Sequence, residues 1–424
     1  MKSKLKKMSR TNILGLALLL AFSAIVVRLF QLQIIDNEKY LALADAEQMK
    51  RFEIPAQRGL IYAMDGKTPT KLVMNESIYT VFADPQMIKD DEKSEIISKI
   101  KEVAGGNVRD GFESLLDKKE SRYQILATKI SRKQAEMIKE SDFTGIGFQE
   151  TSQRVYPEGQ LASQVLGFVN SEGGQYGIEG ALNDELSGKD GQLKTVTDVS
   201  GVPLTIGSRD IDTPAEDGKN VVLSIDRNIQ AQAEKILKNK LESSGAKDGS
   251  VIVMDPQTGK VMAMANYPTY NPAELSTVTD VSVFTNGTTT SAYENGSVIK
   301  SLTMAMGIDT GVASPSDTYY NKDFVEIEDI TIKNAVLGHT GMVTFQTAMN
   351  YSLNTGMVEI ASRLGGGQIN KTARDTMYNY YHDRFGLGEK TGVEVYEEKG
   401  TVISPENAEG NAVRYSNMSF GQGM

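Results

Sequence analysis

The apolar pattern begins with one long run. After Lys2, Lys4, Lys6, Lys7 and Arg10, and with no acidic residue before Asp36, Ile13 to Val27 is almost wholly apolar. Leu29 to Ile35 extends the run past Arg28, whose head can snorkel. As a helix, Ile13–Ile35 spans roughly 35 Å at about 1.5 Å per residue, enough to cross a bilayer. Basic residues ahead of such a span hold the N-terminus in the cytoplasm, so the rest faces outward. Ala44-Asp45-Ala46 has the form of a signal-peptidase site but lies far beyond the apolar core, so the run reads as an uncleaved anchor. The pattern predicts a basic tail over 1–11 and a transmembrane helix over 12–35.

Beyond the anchor the periods shorten. Residues 36–60 read as a charged juxtamembrane segment with an apolar-rich helix near Tyr40–Met49. From about 50 to 215, strand-like runs alternate with helical and glycine-rich pieces, and Ser94–Val103 and Ser131–Lys139 read as amphipathic helices. No nucleophile cluster, metal-ligand spacing or phosphate loop stands out there, which suits a pedestal over 36–215. Asp210–Lys219, rich in Asp, Pro and Gly, is the expected boundary with a second domain over 220–424. That domain opens with a strand over Val221–Ile225. A helix over Asn228–Leu241 follows, with Ile229, Ala233, Ile236, Leu237 and Leu241 near one face. Ser250–Met254 and Lys260–Ala265 predict a hairpin around Asp255-Pro256-Gln257-Thr258-Gly259. A further helix carries Val298, Ile299, Leu302, Ala305 and Met306, with Met304 and Ile308 adding apolar surface and Gly311 placed to end it.

Composition then narrows the chemistry. A chain of 424 residues holds two or more domains, and 40% hydrophobic with 24% charged residues is ordinary for a folded protein. The formal net charge of −10, more negative still beyond the basic tail, argues against nucleic acid as a partner. Cysteine is absent, which excludes thiol nucleophiles and a disulfide framework. His339 and His382 are the two histidines; neither has metal-ligand spacing, and both read as structural or exposed. There is no G-x-S-x-G elbow, Walker loop or dinucleotide fingerprint, so no metal or cofactor is expected.

Ser297-Val298-Ile299-Lys300 is the most informative segment. A serine is a poor nucleophile until a base takes its proton, and residues three apart on a helix share a face, so Lys300 can reach Ser297. The first turn of that helix also offers unpaired N–H groups and the positive end of its dipole to an oxyanion. A second pair, Ser352-x-Asn354 in Asn350-Tyr351-Ser352-Leu353-Asn354-Thr355-Gly356, can add a hydroxyl for proton transfer and an amide that both donates to and accepts from a peptide. Tyr378, Tyr380 and Tyr381 read as packing residues.

Together these motifs resemble the class B penicillin-binding proteins, membrane-anchored D,D-transpeptidases that cross-link peptidoglycan. The resemblance runs along nearly the whole chain: Ala56-Gln57-Arg58-Gly59-Leu60-Ile61-Tyr62, Arg154-Val155-Tyr156-Pro157 with Gly159, Leu166-Gly167-Phe168-Val169, Gly177-Ile178-Glu179-Gly180, Val221 to Asp226 with Gln230, Met254-Asp255-Pro256 with Thr258-Gly259-Lys260-Val261, and Ser419-Phe420-Gly421-Gln422-Gly423. It implies an α+β protein with an N-terminal transmembrane helix, a mixed dimerisation-type pedestal and a β-lactamase/transpeptidase-like domain whose antiparallel sheet is flanked by helices. It implies Ser297 as the acylated nucleophile, Lys300 as its base, and Ser352 and Asn354 as the second catalytic element. The implied partners are peptidoglycan stem peptides, β-lactams, the membrane, a glycosyltransferase and other cell-wall synthesis proteins. The implied location is the cytoplasmic (inner) membrane, with the catalytic domain outside.

Two departures stand against the family pattern. Asn295 occupies a usual proline position. The third motif, Lys-Ser/Thr-Gly on an edge strand, is expected beyond Met424, so the transpeptidase domain reads as incomplete at its C-terminus. Lys390-Thr391-Gly392 is rejected as a substitute, because it matches a non-catalytic glycine-containing segment. The alternative to a transpeptidase is a non-catalytic membrane scaffold of a cell-wall synthesis complex. A secreted β-lactamase fits the anchor and pedestal poorly.

Overall fold

A computed structural model describes residues 10–39, 49–196, 211–407 and 409–424. Arg10–Phe30 is α-helical and continues as a π-helical stretch over Gln31–Ile35. Leu18–Ile35 is long and apolar enough to cross a membrane, with its apolar side chains exposed. Within it, Arg28 Nη1 donates to Gln31 Oε1 at 2.9 Å. Of the helix expected near Tyr40–Met49, residues 40–48 lie outside the described residues, and Met49 opens a strand.

The chain divides into two compact units that interleave in sequence. The first comprises Met1–Ile61, Val73–Val155 and Asp184–Val221. Its main sheet is built on Thr68–Ala83, which from Met74 to Ala83 pairs antiparallel with Ile146–Val155 and from Ile78 onward with Gln124–Ser131. Helices Lys93–Ala104 and Arg132–Lys139 cover it, burying Ile96, Ile100 and Ile138 against Val81, Leu126 and Ile130. The second helix starts on a capping box: Ser131 accepts from Gln134 N, and the Gln134 side chain accepts from Ser131 N. Strand Met49–Ile54 pairs with Gly191–Val196, which pairs with Ile211–Thr213. The Arg58-Gly59 segment has a steric role. Its N–H bonds Leu186 O at 2.7 Å, and a Cβ on Gly59 would meet Lys219 O at 1.9 Å.

The second unit comprises Tyr62–Leu72, Tyr156–Asn183 and Val222–Met424. The piece 156–183 belongs here because its buried polar groups bond the later chain. Gln164 Nε2 donates to Pro268 O and Val283 O, and Tyr270 OH donates to Ser163 O, each at 3.0 Å. Helix α1 (Arg227–Ser244) packs on strand β2 (Val261–Tyr267), which forms the expected antiparallel hairpin with β1 (Gly249–Met254). The inner face of α1 carries Gln230, Ala233 and Leu237, whereas Ile236 is exposed. Gln230 lies inside because its amide completes the strand backbone, donating to Met264 O at 3.0 Å and accepting from Met264 N at 2.7 Å.

Eight further elements pack around a central helix, α2 (Ile299–Asp309). They are β3 (Thr318–Asn321), β4 (Phe324–Ile327), β5 (Ile330–Lys333), β6 (Gly341–Thr344), α3 (Phe345–Asn350), α4 (Asn354–Leu364), α5 (Lys371–Tyr378) and α6 (Ala412–Met418). Strand β3 pairs with β6, and β4 with β5, in two short antiparallel hairpins. The buried face of α2 is Ile299, Lys300, Thr303, Met304, Met306 and Gly307; Val298, Ala305 and Ile308 are exposed, contrary to the apolar stripe read from sequence. Polar bonds explain the rotation. Thr303 Oγ1 donates to Ser419 O and shares a hydrogen bond with Tyr381 OH, both at 2.7 Å, so a threonine takes an inner position. Gly307 lets α4 approach, since a Cβ there would meet Ile360 Cγ2 at 2.9 Å. Phe345, Leu353, Met357, Ile360, Tyr415 and Met418 complete the core. Phe345→Ala is expected to cost about 3–5 kcal/mol; a shift under about 1 kcal/mol in the denaturant-unfolding transition would contradict this core assignment.

Candidate active site

The segment bearing Ser297 enters through a left-handed Gly296 at φ +64°, makes a 3-10 turn over Gly296–Val298 and continues as α2. Asn295 has φ −63°, a value that a proline ring also holds, so its departure from the family pattern leaves the backbone undisturbed. Ser297 is exposed, and Lys300, one turn later, is 2% exposed. The side of α2 that buries Lys300 is thus continuous with the turn that presents Ser297.

The structure brings Lys300 and Ser352 together. Lys300 Nζ donates to Ser352 Oγ at 2.8 Å and to Ser352 O at 2.6 Å. Burial of the ammonium pushes its pKa down to about 8, because desolvation disfavours the charged form. Ser352 sits in the tight connection between α3 and α4 with φ +54°, a left-handed conformation that is costly for a non-glycine residue. Two bonds hold it there: Ser352 N donates to Met349 O at 3.2 Å and Leu353 N to Ala348 O at 2.8 Å. Strain of this kind persists only where neighbours over-determine it, and it concentrates at functional sites.

Asn354 opens α4 and is not bonded to the Lys300–Ser352 pair; its Nδ2 donates to Lys333 O at 2.8 Å. Among the backbone N–H groups expected to serve an oxyanion, that of Gly296 is taken, donating to Gly421 O at 2.8 Å. That bond gives the Ser419-Phe420-Gly421-Gln422-Gly423 run a local role. Gly421 has φ +85°, and a Cβ there would meet Gly296 O at 1.9 Å. Gly423 N donates to Glu294 Oε1 at 2.8 Å, so the run clasps the turn on both sides of Asn295. An open cavity of about 520 Å³ lies beside it, lined by Tyr293, Glu294, Asn295 and Arg414, but none of the four candidate residues lines that cavity.

The other sequence candidates serve the framework. His382 bonds Asp383 and Glu389 and stacks on Tyr378, and these carboxylates raise its pKa. His339 packs on Tyr351, ring centroids 3.9 Å apart. Tyr381 is fully buried, and Tyr380 bonds Asp309. Lys390-Thr391-Gly392 lies outside any strand, with Thr391 Oγ1 donating to Glu397 at 2.6 Å, in keeping with its rejection as the third motif. Sequence reading missed the Gly296–Gly421 clasp and the buried amides of Asn321 and Asn334 behind Asn354. Gly421→Ala is expected to destabilise by more than about 1 kcal/mol and to displace the Ser297 turn, whereas an unchanged melting temperature would show that the contact is not tight.

Comparison with known proteins places these features in a family. The pattern of the penicillin-binding protein transpeptidase domain matches residues 249–424, and that of the penicillin-binding protein dimerisation domain matches residues 53–223. The chain is 30% identical over 411 residues to stage V sporulation protein D of Bacillus subtilis (strain 168), covering 96% of this chain and 61% of that protein. It is 26% identical over 416 residues to peptidoglycan D,D-transpeptidase FtsI of Escherichia coli (strain K12), covering 96% of this chain and 66% of that protein. Its fold is similar to that of penicillin binding protein 2X from Streptococcus thermophilus, with a TM-score of 0.71 and 22% identity over 88% of this chain and 57% of that one. The chain therefore spans 61% and 66% of the lengths of the two curated relatives. With a dimerisation domain over 53–223 followed by a transpeptidase domain over 249–424, the chain belongs to the penicillin-binding proteins.

Proposed function

We propose that this chain carries the acylating site of a peptidoglycan D,D-transpeptidase. The observation that carries the reading is a buried lysine, with its pKa lowered to about 8, bonded to Ser352 one turn after an exposed serine. FtsI of Escherichia coli is named for this activity, and this chain aligns with it over 96% of its own length.

Neutral Lys300 takes the Ser297 proton as Ser297 Oγ attacks the carbonyl carbon between the two terminal D-alanines of a stem peptide. Backbone N–H groups hold the tetrahedral oxyanion. Ser352, bonded to Lys300, relays a proton to the leaving amine, the C–N bond breaks, and D-alanine departs. The amine of a second stem peptide then attacks the acyl-enzyme, Ser297 regains its proton, and a cross-link results. Asn354, with one amide N–H committed to Lys333, accepts a peptide N–H through its carbonyl oxygen. Serine acyl transfer of this kind needs no metal or cofactor. A β-lactam enters by the same attack, but its leaving amine stays tethered and the ester persists.

The same reading assigns 1–11 as cytoplasmic tail, 12–35 as anchor in the cytoplasmic membrane, 36–215 as pedestal and 220–424 as transpeptidase domain outside the membrane. Basic residues before the apolar helix support that orientation. A glycosyltransferase and other cell-wall synthesis proteins are the expected partners.

Ser297→Ala is expected to abolish covalent labelling by a fluorescent penicillin, and peptide mass spectrometry of the unaltered chain to find the adduct on Ser297; an adduct on another residue would overturn the assignment. Because the base acts only when neutral, acylation should accelerate as pH rises through about 8. Lys300→Met should slow it about 10²–10⁴-fold. A rate that is flat between about pH 6 and pH 9 would remove Lys300 from this role.

A further inference from the structure

Helix α4 lacks a cap of its own. Its N-cap residue, Leu353, has no side chain able to accept from the first turn. The missing acceptor comes from outside the helix: Asn334 Oδ1, just past β5, accepts from Thr355 N at 3.0 Å and from Thr355 Oγ1 at 3.2 Å. The preceding residue, Lys333, supplies the carbonyl that accepts from Asn354. One short segment thus grips the first two residues of α4, directly after Ser352 and Leu353.

The orientation of the Asn334 amide is itself set by charge. Asp323 stays ionised well into acid. The Gly338 N–H aimed at its carboxylate at 2.7 Å is the main cause, followed by the Asn334 and Asn321 amides. An ionised carboxylate accepts only, so the Nδ2 groups of Asn334 and Asn321 turn toward Asp323 Oδ1, at 3.2 and 3.0 Å. Asn334 Oδ1 is then left for Thr355. Asn321 is fully buried and closes the network: its Oδ1 lies 3.0 Å from Thr355 Oγ1 and shares that hydroxyl's single proton with Asn334 Oδ1, and its Nδ2 also donates to His339 O at 2.8 Å. Asp323 has φ +65°, and its backbone is held by two bonds, Asp323 N donating to Asn321 Oδ1 at 2.9 Å and Asn334 N donating to Asp323 O at 3.0 Å. Every amide donor and acceptor faces a partner, the condition under which a buried polar network fixes one geometry.

We propose that Asn334 is a positioning residue which, oriented by Asp323 and Asn321, caps α4 from a neighbouring segment and sets where Ser352 and Asn354 stand relative to Lys300. The inference rests on the acyl-transfer reading of this site.

The test uses the full chain with three changes: Asn334→Ala, Asn334→Asp, and the double variant Asn334→Asp with Asp323→Asn. The single Asp variant sets two carboxylates against each other; the double variant restores a donor–acceptor pair between positions 323 and 334 with its polarity reversed, at the expense of the Asn321 Nδ2 bond to residue 323. Saturation kinetics with a slow β-lactam separate binding from the first-order acylation of Ser297. Both single variants should lower the acylation step about tenfold or more per folded molecule with little change in binding, and the double variant should recover part of the Asn334→Asp loss. Losses that only follow the melting temperature, or a double variant no better than Asn334→Asp, would overturn the proposal. If the unaltered chain takes no β-lactam on Ser297, the functional reading fails, and amide hydrogen exchange judges the network alone. Asn334→Ala should speed exchange at Thr355 by at least tenfold while Ile360, deeper in α4, keeps its protection. Unchanged protection at Thr355 would overturn the capping role.

Discussion

A lysine ammonium removed from water is the constraint on which this candidate site turns. Lys300 is placed by α2, whose inner face is closed by Met304, Met306 and the Thr303–Tyr381–Ser419 contacts. Its head has the Ser352 hydroxyl and carbonyl as its hydrogen-bond partners. No carboxylate contributes to its pKa shift, so burial acts unopposed and the neutral form comes within reach of physiological pH. The cost of that burial is borne by the surrounding core, and the left-handed Ser352 backbone is a second cost at the same spot. Such concentration of unfavourable terms suits a site shaped for chemistry more than for stability.

Much of this was legible in the residues. The Ser297–Lys300 spacing implied a shared helical face, and the hairpin around Asp255–Gly259 followed from alternation and turn chemistry. The apolar anchor was visible as length alone. What failed was the choice of inner face. Ile236, Val298, Ala305 and Ile308 were assigned inward on hydrophobicity, yet Gln230 and Thr303 lie inside because backbone groups on β2 and at Ser419 needed partners. Periodicity counts apolar residues and does not register a buried amide that completes a strand or a helix end.

The same limit hid the support of the second motif. Ser352-x-Asn354 is legible as a pair able to sit near Ser297 and Lys300, but the network that grips the start of α4 comes from Asn321 at the end of β3, Asp323 between β3 and β4, and Asn334 just past β5, which carry no local pattern. The glycine-rich runs quoted for family resemblance acquire physical meaning only in three dimensions. Gly59 admits Lys219, and Gly421 admits the turn bearing Ser297. Each marks a close backbone approach that a Cβ would block.

The depressed titration of Lys300 can be read directly by following the Nζ resonance of this lysine by NMR in a chain carrying isotope-labelled lysine, with Lys300→Met identifying the signal. The expected midpoint is about 8. A midpoint near the ordinary lysine value of about 10.4 would mean that the ammonium is solvated, and would contradict its role as the base for Ser297.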